Sequence, residues 1–368
     1  MVPALFFILS IFLLIMNISD LTLPFYWDTA WYLIPTSKLI HENGLLSFIS
    51  YPGSDYPHTF LLPSLLSLAF YLSEPQATIS IHLIGILLSI FFLFVAYKLA
   101  KIFVDKKLAI LMLLLVVSNP IFLSQTFLVY FEIIGLALRL LTLKFFLEKK
   151  PKAFLITSLV AIFTRIDNFI FISCMCLNIF FDQKQKIQEK IAFLKKYYLP
   201  SAIVTFAWFL SNKLINGWWF YSPERYFDEH HLQSFIESLR VVFIYQGRWA
   251  ITVATIIGLI ILILQKRWKL VFNKKLLVFF SATFPTLIMI AVLGYVLSRY
   301  TLPLIIFNYY FLIIILDKIQ IKNNKLGKIA FIILSLAIIQ FNHKNNCFAG
   351  NREDCLLVKN IIREQLIK

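Results

Sequence analysis

The sequence predicts an all-α, polytopic membrane protein with about eleven transmembrane helices. Of its 368 residues, 60% are hydrophobic and only 15% are charged, whereas soluble domains are about 45–50% apolar and about 25% charged. A water-soluble fold of this length lacks the interior volume to cover so much apolar surface. The apolar residues also fall into runs that are long enough to span a bilayer, and short basic segments separate these runs.

The first apolar run covers residues 2–19. No basic segment precedes it and no small-residue cleavage site ends it, so we expect a retained helix rather than a signal peptide. The runs at 153–166 and 168–181 are short, which predicts tilted or partly re-entrant helices. The candidate spans after the first are 76–100, 108–124, 129–147, 153–166, 168–181, 197–215, 249–264, 276–297, 301–316 and 328–342.

The distribution of charge predicts the orientation. Five connecting segments contain 22 of the 35 Lys and Arg residues but only 5 of the 19 acidic residues. By the positive-inside rule these segments are cytoplasmic, so the N-terminus is cytoplasmic and the C-terminus is extracytoplasmic. The rule also accounts for the net charge of +16 without a nucleic-acid partner. The segments are 98–107, 144–152, 182–196, 265–275 and 317–328.

The first outer loop is predicted to contain two helices that lie on the membrane surface. Residues 59–72 are apolar enough to look like a span, but counting them as one would move the basic segments 98–107 and 144–152 outside. We therefore expect an interfacial helix there, and a second one at 29–43 that ends at Asn43 and Gly44. The predicted organisation is a transmembrane domain at 1–342, with outer loops at 20–75 and 216–248, followed by a short extracytoplasmic tail at 343–368.

Asp28 is the first candidate for chemistry, because it follows the aromatic residues Phe25, Tyr26 and Trp27 where the first helix leaves the membrane. A carboxylate there is partly desolvated, which raises its basicity, and it could act as a general base towards a hydroxyl group. The local pattern alone favours the simpler alternative, in which Asp28 caps the helix that begins at Thr29.

Further charged residues are placed where the membrane makes them costly. Glu132 lies at the start of a helix that returns into the bilayer. An acidic residue there is explained either by a functional role or by a favourable interaction with the helix dipole. Arg165 and Asp167 lie near the same interface and are expected to form a structural ion pair. Arg139 lies inside a span and needs a partner such as Glu132, or a water-lined cavity. Arg299, at the end of an apolar run, suits either a phosphate or ordinary lipid headgroups.

Two outer loops contain metal-ligand residue types. Asp55 and His58 are spaced so that they could bind a divalent metal, or they could belong to a solvated turn. The loop at 216–248 combines tryptophans and tyrosines with acidic residues, His230 and His231, which is typical both of sugar sites and of interfacial aromatic belts.

The four cysteines form two pairs. Cys174 and Cys176 lie in an apolar stretch and are expected to be buried. Cys347 and Cys355 lie in the outer tail, where they could form a disulfide.

The order of these features along the chain resembles the GT-C superfamily of polyprenyl-phosphate-sugar-dependent glycosyltransferases, and most closely its protein mannosyltransferase and aminoarabinose transferase branch. The shared elements begin with a first helix whose N-terminus is cytoplasmic and the aromatic motif before Asp28. They continue with a loop that ends in Tyr-Pro-His58, the second outer acid Glu132 and, near the C-terminus, the sequence Arg299-Tyr300-Thr-Leu-Pro. The chain departs from relatives in having Thr after Asp28 and Tyr-Pro-His in place of His-Pro-Pro.

The resemblance implies an inverting hexosyltransferase that moves a sugar from a polyprenyl-phosphate donor to a glycan, lipid or protein acceptor. Asp28 would be the catalytic base and Glu132 the second catalytic acid. Arg299 and Tyr300, with His58 or Arg248, would bind the lipid phosphate, and Asp55 would be a metal ligand. The expected location is a bacterial inner membrane or an archaeal plasma membrane.

Two alternatives remain at this stage. A transporter or flippase would have polar or broken spans near the bilayer midplane and internal repeats, whereas the charges here lie mainly at one interface and no repeat is evident. A non-catalytic membrane subunit is compatible with the altered loop motifs. Neither a P-loop nor a dinucleotide fingerprint is present, so no nucleotide cofactor is predicted.

Overall fold

The computed structural model describes residues 2–50, 59–181, 186–219, 231–293, 297–320, 325–347 and 354–367. Within these ranges every regular element is helical, which confirms the predicted all-α class. The α-helices are α1 Val2–Asn17, α2 Ile34–Asn43, α3 Leu61–Ser67, α4 Gln76–Ala100, α5 Lys106–Val117, α6 Pro120–Leu128, α7 Phe131–Leu147, α8 Pro151–Ile162, α9 Asn168–Phe180, α10 Ile187–Phe193, α11 Leu199–Asn216, α12 His231–Phe243, α13 Arg248–Leu264, α14 Lys274–Thr283, α15 Pro285–Leu293, α16 Leu302–Lys318, α17 Lys325–Asn342 and α18 Val358–Ile367.

Five helical stretches in the described part of the chain are long and apolar enough to cross a membrane, and the number rises to seven if two bent helix pairs are each one span. The protein is therefore an integral multi-pass membrane protein. The total of eleven spans stays a prediction. The five stretches are Pro3–Asp20, Gln76–Ala100, Lys274–Val292, Ser298–Lys318 and Lys325–Asn342.

The span predicted at 108–124 is wrong as a single helix. It is divided into α5 and α6, whose axes differ by 70°. Asn119 has an extended backbone, and its side chain accepts a hydrogen bond from the backbone N–H of Phe122, at 3.0 Å, as a cap of α6. Pro120 disfavours a helical conformation in the residue before it, which together with the cap at Asn119 favours a break at this point.

Helix α16 occupies the centre of the bundle, because nearly all of its side chains between Leu302 and Leu316 are buried. It packs against α5, α13 and α14. The approach of α13 is very close at Gly258, where an added Cβ would lie 2.5 Å from Cγ2 of Ile315. Arg299, which is in the turn immediately before α16, is therefore attached to a helix that is closely packed in the core.

Both helices predicted in the first outer loop are present. A π-helical turn, Thr29–Leu33, continues into α2, which ends at Gly44 with a φ of 83°. Helix α3 is extended by a 3₁₀ turn, Leu68–Tyr71. The two helices pack together through Leu33, Leu62 and Leu66, all fully buried. Their position on the membrane surface stays a prediction.

Candidate functional site

Five charged side chains from four separate parts of the chain form a continuous row. Asp28 Oδ2 accepts from Arg299 Nη2 at 2.6 Å, and Arg299 Nε lies 3.4 Å from Oε1 of Glu132. The same Glu132 oxygen accepts from Arg165 Nη1 at 2.8 Å, and Arg165 Nη2 donates to Asp167 Oδ2 at 2.9 Å. We call these five residues the acid–arginine row. It alternates three carboxylates with two guanidinium groups.

The row lies where several helices begin or end at one face of the bundle. Asp28 precedes the helical turn at Thr29, and Glu132 is the second residue of α7. Arg165 and Asp167 lie between α8 and α9, and Arg299 lies in the 3₁₀ turn that leads into α16. Residues from these places can meet only at one end of the bundle, which is the end that the charge distribution predicts to be extracytoplasmic.

Burial explains why the charges alternate. The side chains of Glu132 and Arg165 are 8% and 9% exposed, and that of Arg299 is 2% exposed. Removing such charges from water is costly, and a neighbouring opposite charge offsets part of that cost. Asp28 retains 18% of its side-chain surface, so it is the member of the row most accessible to a bound molecule.

Aromatic rings cover the two arginines. The guanidinium carbon of Arg299 lies 4.8 Å from the ring centre of Tyr130 and 5.3 Å from that of Tyr300. The guanidinium carbon of Arg165 lies 5.4 Å from the same Tyr300 ring. Cation–π contacts of this kind orient a guanidinium group while leaving its N–H groups directed towards acceptors.

The alternative assignment of Asp28 as a helix cap is wrong. Asp28 stands at the cap position, but its backbone is helical, with φ −53° and ψ −34°, and its side chain makes no capping hydrogen bond. A residue whose side chain accepts the capping hydrogen bond normally has an extended backbone rather than a helical one. Thr29 instead anchors this turn, because its hydroxyl donates to the carbonyl oxygen of Leu128 at 2.6 Å. The Asp28 carboxylate is thereby left to face Arg299.

A strained residue directs Glu132 into the row. Val129, between α6 and α7, has a φ of 58°, which is unfavourable for a β-branched side chain. Gly85 of α4 makes this turn possible, since an added Cβ would lie 2.8 Å from Cγ2 of Val129 and 2.9 Å from the carbonyl oxygen of Thr126. Strain of this kind persists only where surrounding packing enforces it, and it is common at functional sites.

Asp167 ends the row as an ionised group. Burial raises the pKa of its carboxyl, but Arg165 lowers it by more through charge and two hydrogen bonds, so the pKa of Asp167 lies below its ordinary value. The ion pair predicted between Arg165 and Asp167 is thus present in the structure, and it continues into Glu132.

Arg139 is placed differently from the expectation that Glu132 is its partner. Its Nε and Nη2 donate to Oδ1 of Asn168 at 3.0 and 2.9 Å, and its guanidinium carbon lies 3.2 Å from the ring centre of Phe171. Glu132 is already bonded to Arg165. Arg139 is therefore not a member of the row. It is bonded to Asn168, the residue that follows Asp167.

Arg248 is not brought to the row. It is fully buried at the corner between α12 and α13, where Nε donates to the carbonyl oxygen of Val241 and Nη1 donates to Gln246 Oε1 at 2.8 Å. A guanidinium in this position joins two helices, and its predicted role as a lipid-phosphate ligand is not supported by its placement.

The predicted metal ligand Asp55 and the predicted phosphate ligand His58 lie outside the described residues, as do 220–230 of the outer loop. Within the described ranges, one group of three metal-ligand residue types lies close together: Cys347, Asp354 and Cys355, with ligand atoms within 4.8 Å of one another. The two cysteines are joined to each other, so they do not offer the thiolates that a metal would need.

The C-terminal tail contains the suggested cysteine pair and one site residue that the sequence did not indicate, Asp354. Cys347 and Cys355 form a disulfide, and the neighbouring Asp354 accepts a hydrogen bond from the hydroxyl of Ser298 at 2.5 Å. Ser298 directly precedes Arg299. No local motif marks Asp354, because its partner is 56 residues away in the chain.

Helix α18 fastens the tail to the end of α1. Lys359 Nζ lies 3.1 Å from Asp20 Oδ2 and donates to the carbonyl oxygen of Met16 at 2.6 Å, while Arg363 pairs with the same Asp20. Burial lowers the pKa of Lys359, and Asp20 opposes that effect only in part. The tail is therefore tied both to the first outer loop and to the turn that contains Arg299.

A comparison with solved structures finds the same fold in ArnT from Cupriavidus metallidurans, a crystal structure described as bound to undecaprenyl phosphate. The superposition has a TM-score of 0.60 and covers 99% of this chain and 68% of ArnT, at 14% sequence identity. No family model matches the chain, and no curated protein matches it in sequence. At this level of identity the likeness shows the fold.

Proposed function

We propose that this protein is a membrane glycosyltransferase of the GT-C type that transfers a sugar from a polyprenyl-phosphate donor to an acceptor hydroxyl on the non-cytoplasmic face. The observation that carries the proposal is the pair formed by Asp28 and Arg299 at 2.6 Å. The pair combines a partly exposed carboxylate with a buried arginine, a side chain that is always charged and well suited to phosphate. The fold is shared with a protein described as bound to undecaprenyl phosphate.

In the proposed reaction the acceptor oxygen attacks the anomeric carbon of the donor. The new glycosidic bond forms as the bond from that carbon to the phosphate oxygen breaks, so the configuration inverts. Asp28 takes the hydroxyl proton. The leaving lipid phosphate is already ionised at neutral pH and needs no proton, and Arg299 stabilises its increasing charge through charge-assisted hydrogen bonds.

The Asp28–Arg299 pair has a consequence for donor binding. A donor phosphate that contacts Arg299 competes with the Asp28 carboxylate for the same guanidinium group. Donor binding would therefore release Asp28 from its ion pair, and the free carboxylate would be a stronger proton acceptor. The base would therefore become active only when the donor is in place.

Glu132 is proposed to act through the arginines. Its Oε1 lies between Arg165 at 2.8 Å and Arg299 at 3.4 Å, so it sets the distance between the two guanidinium groups and partly neutralises them. We assign it as a positioning residue. Tyr300, whose ring lies over both arginines, would maintain their orientation.

The test is sugar transfer by Asp28→Asn in purified, folded protein, with a panel of radiolabelled undecaprenyl-phosphate sugars as donors and membrane extract as the acceptor source. Loss of a general base is expected to lower turnover by about 10²- to 10⁴-fold. Asp317→Asn is the matched control, because Asp317 lies at the basic end of α16 and pairs with Lys318 at 2.6 Å.

The same labelled donors, offered to the purified protein reconstituted into lipid vesicles, separate the alternatives. Wild-type-like turnover by Asp28→Asn would remove Asp28 from the role of base. Movement of a labelled lipid across the membrane without transfer would identify a transporter, and neither activity with any donor would favour a non-catalytic subunit.

A further inference from the structure

A cavity of about 540 Å³ lies at the opposite end of the bundle from the acid–arginine row. Glu132 is in the first turn of α7 and the cavity is beside its last turn, so they are about 20 Å apart at 1.5 Å per residue. The cavity lies between α7, α8, α9, α10 and α14. Its apolar lining includes Phe145, Phe146, Phe154, Ile179, Phe193 and Val278.

Lysines stand on two sides of this cavity. Lys149 and Lys150 come from the turn between α7 and α8, and Lys274 and Lys275 open α14. All four are exposed. The acidic residues nearby are Glu189 in the lining and Glu148, which pairs with Lys150 at 2.8 Å. The four lysines outnumber these two carboxylates, so the net charge at the edge of the cavity is positive.

The turn between α7 and α8 presents its lysines on a fixed backbone. Lys149 has a φ of 57°, and the N–H of Lys150 donates to the carbonyl oxygen of Phe145 at 2.9 Å. This is the usual way to end a helix, but the left-handed position is normally occupied by glycine. A lysine there costs about 1 kcal/mol of backbone strain and adds a positive charge to the edge of the cavity.

The cavity wall offers little to a polar metabolite. The polar wall residue Asn178 uses its amide N–H groups on the carbonyl oxygen of Cys174, at 2.9 Å, and on the hydroxyl of Ser281, at 2.6 Å. An aromatic interior with lysines at its edge instead matches a molecule that has an apolar chain and an anionic head.

We propose that this cavity binds one anionic phospholipid, with an acyl chain against the phenylalanine side chains and the phosphate between the lysine pairs. The lysine pairs lie at the end of the bundle that the charge distribution predicts to be cytoplasmic. This site is independent of the proposed transferase function, because it shares no residue with the acid–arginine row.

The test measures thermal unfolding of the full-length, delipidated protein in detergent during titration with dioleoyl phosphatidylglycerol. We expect a saturable rise in Tm, a much smaller rise with dioleoyl phosphatidylcholine, and none with glycerol phosphate or inorganic phosphate. The variant Lys149→Gly/Lys275→Gln removes one lysine from each side of the cavity and should require at least a three-fold higher lipid concentration for half of the rise. Lys149→Gly also relieves the backbone strain, so loss of folding would not explain the result.

The control variant is Lys106→Gln/Lys107→Gln, which removes two exposed charges from the start of α5 and should respond like the wild type. An equal weakening in both double variants would overturn the proposal in favour of general attraction between the basic face and anionic lipid. A rise in Tm with glycerol phosphate or inorganic phosphate alone would overturn it in favour of a soluble-anion site. An unchanged response of Lys149→Gly/Lys275→Gln would place any bound lipid elsewhere.

Discussion

Asp28 and Arg299 are separated by 271 residues in the chain, yet Oδ2 of the first accepts a hydrogen bond from Nη2 of the second at 2.6 Å. The contact joins the first outer loop to the turn before the central helix α16. These two residues also form one end of the acid–arginine row, and the other charges of the row come from α7 and from the α8–α9 connection. Three separate connections at one end of the bundle are thus held together by charge, and this is where the proposed chemistry would occur.

Arg299→Lys tests whether the shape of the guanidinium group matters as well as its charge. Arg299 donates to Asp28 through Nη2, and its Nε lies 3.4 Å from Glu132; the single nitrogen of an ammonium group cannot reproduce this planar, two-sided arrangement. We expect kcat/KM for the donor to fall by about 10²-fold, which is the usual loss when one donor to a developing oxyanion is removed. The measurement is initial-rate kinetics in the radiolabelled donor.

Arg240→Lys is the matched control for that experiment. Arg240 is an exposed arginine on α12 that pairs with Glu237 at 2.6 Å, and the same exchange there should leave kcat/KM unchanged. Retention of full activity by Arg299→Lys would contradict a phosphate-binding role that depends on a fork of donors.

The helices and the end of the bundle that contains the site could be predicted from the sequence, because both follow from local patterns. Hydropathy determines where helices can cross a bilayer, and Glu132 and Asp167 lie at or near the ends of such runs. The break at Asn119 and Pro120 was not predicted, because the apolar run continues on both sides of these two residues.

The partners within the site could not be predicted in the same way. Arg139 was expected to reach Glu132 along one helix, but Asn168, on a neighbouring helix, accepts its hydrogen bonds. Asp28 has a local explanation as a cap, and only the position of α16 shows that it faces Arg299. Which charges pair depends on how helices far apart in the chain pack together, and no short segment contains that information.

Acidification should destabilise the protein partly through Asp167. The pKa of Asp167 in the folded protein lies below its ordinary value, so its contribution to stability is fully present above about pH 4 and is lost as the pH falls through the folded-state pKa. We expect Asp167→Asn to lower Tm at pH 7, because it leaves Arg165 with one buried partner fewer, at a cost on the order of 3 kcal/mol.

The diagnostic measurement is the pH dependence of Tm in detergent between pH 7 and pH 3. The wild type should lose more stability over this range than Asp167→Asn, since the variant has no carboxyl to protonate at that position. Glu237→Gln, which removes one acid from an exposed pair, should keep the wild-type slope. Parallel curves for the wild type and Asp167→Asn would show that Asp167 does not contribute to acid sensitivity.

The disulfide between Cys347 and Cys355 should stabilise both the tail and the site. It closes a loop with a sequence separation of 8 residues, for which the chain-entropy relation gives about 2–3 kcal/mol. We expect Cys347→Ser/Cys355→Ser to unfold at a lower temperature than the wild type. Dithiothreitol should lower the Tm of the wild type to that of the variant and should leave the variant unchanged, because Cys174 and Cys176 are free thiols.

The effect on activity should follow from the contact between Asp354 and Ser298. A looser tail no longer holds the Ser298 hydroxyl at 2.5 Å from the Asp354 carboxylate, so Arg299, the next residue, loses part of its positioning. KM for the donor should therefore rise several-fold in Cys347→Ser/Cys355→Ser, and Ser298→Ala should raise it similarly without lowering Tm to the same degree. If reduction lowers Tm while KM stays constant, the tail stabilises the fold alone and Arg299 is positioned by Asp28 and Glu132 without it.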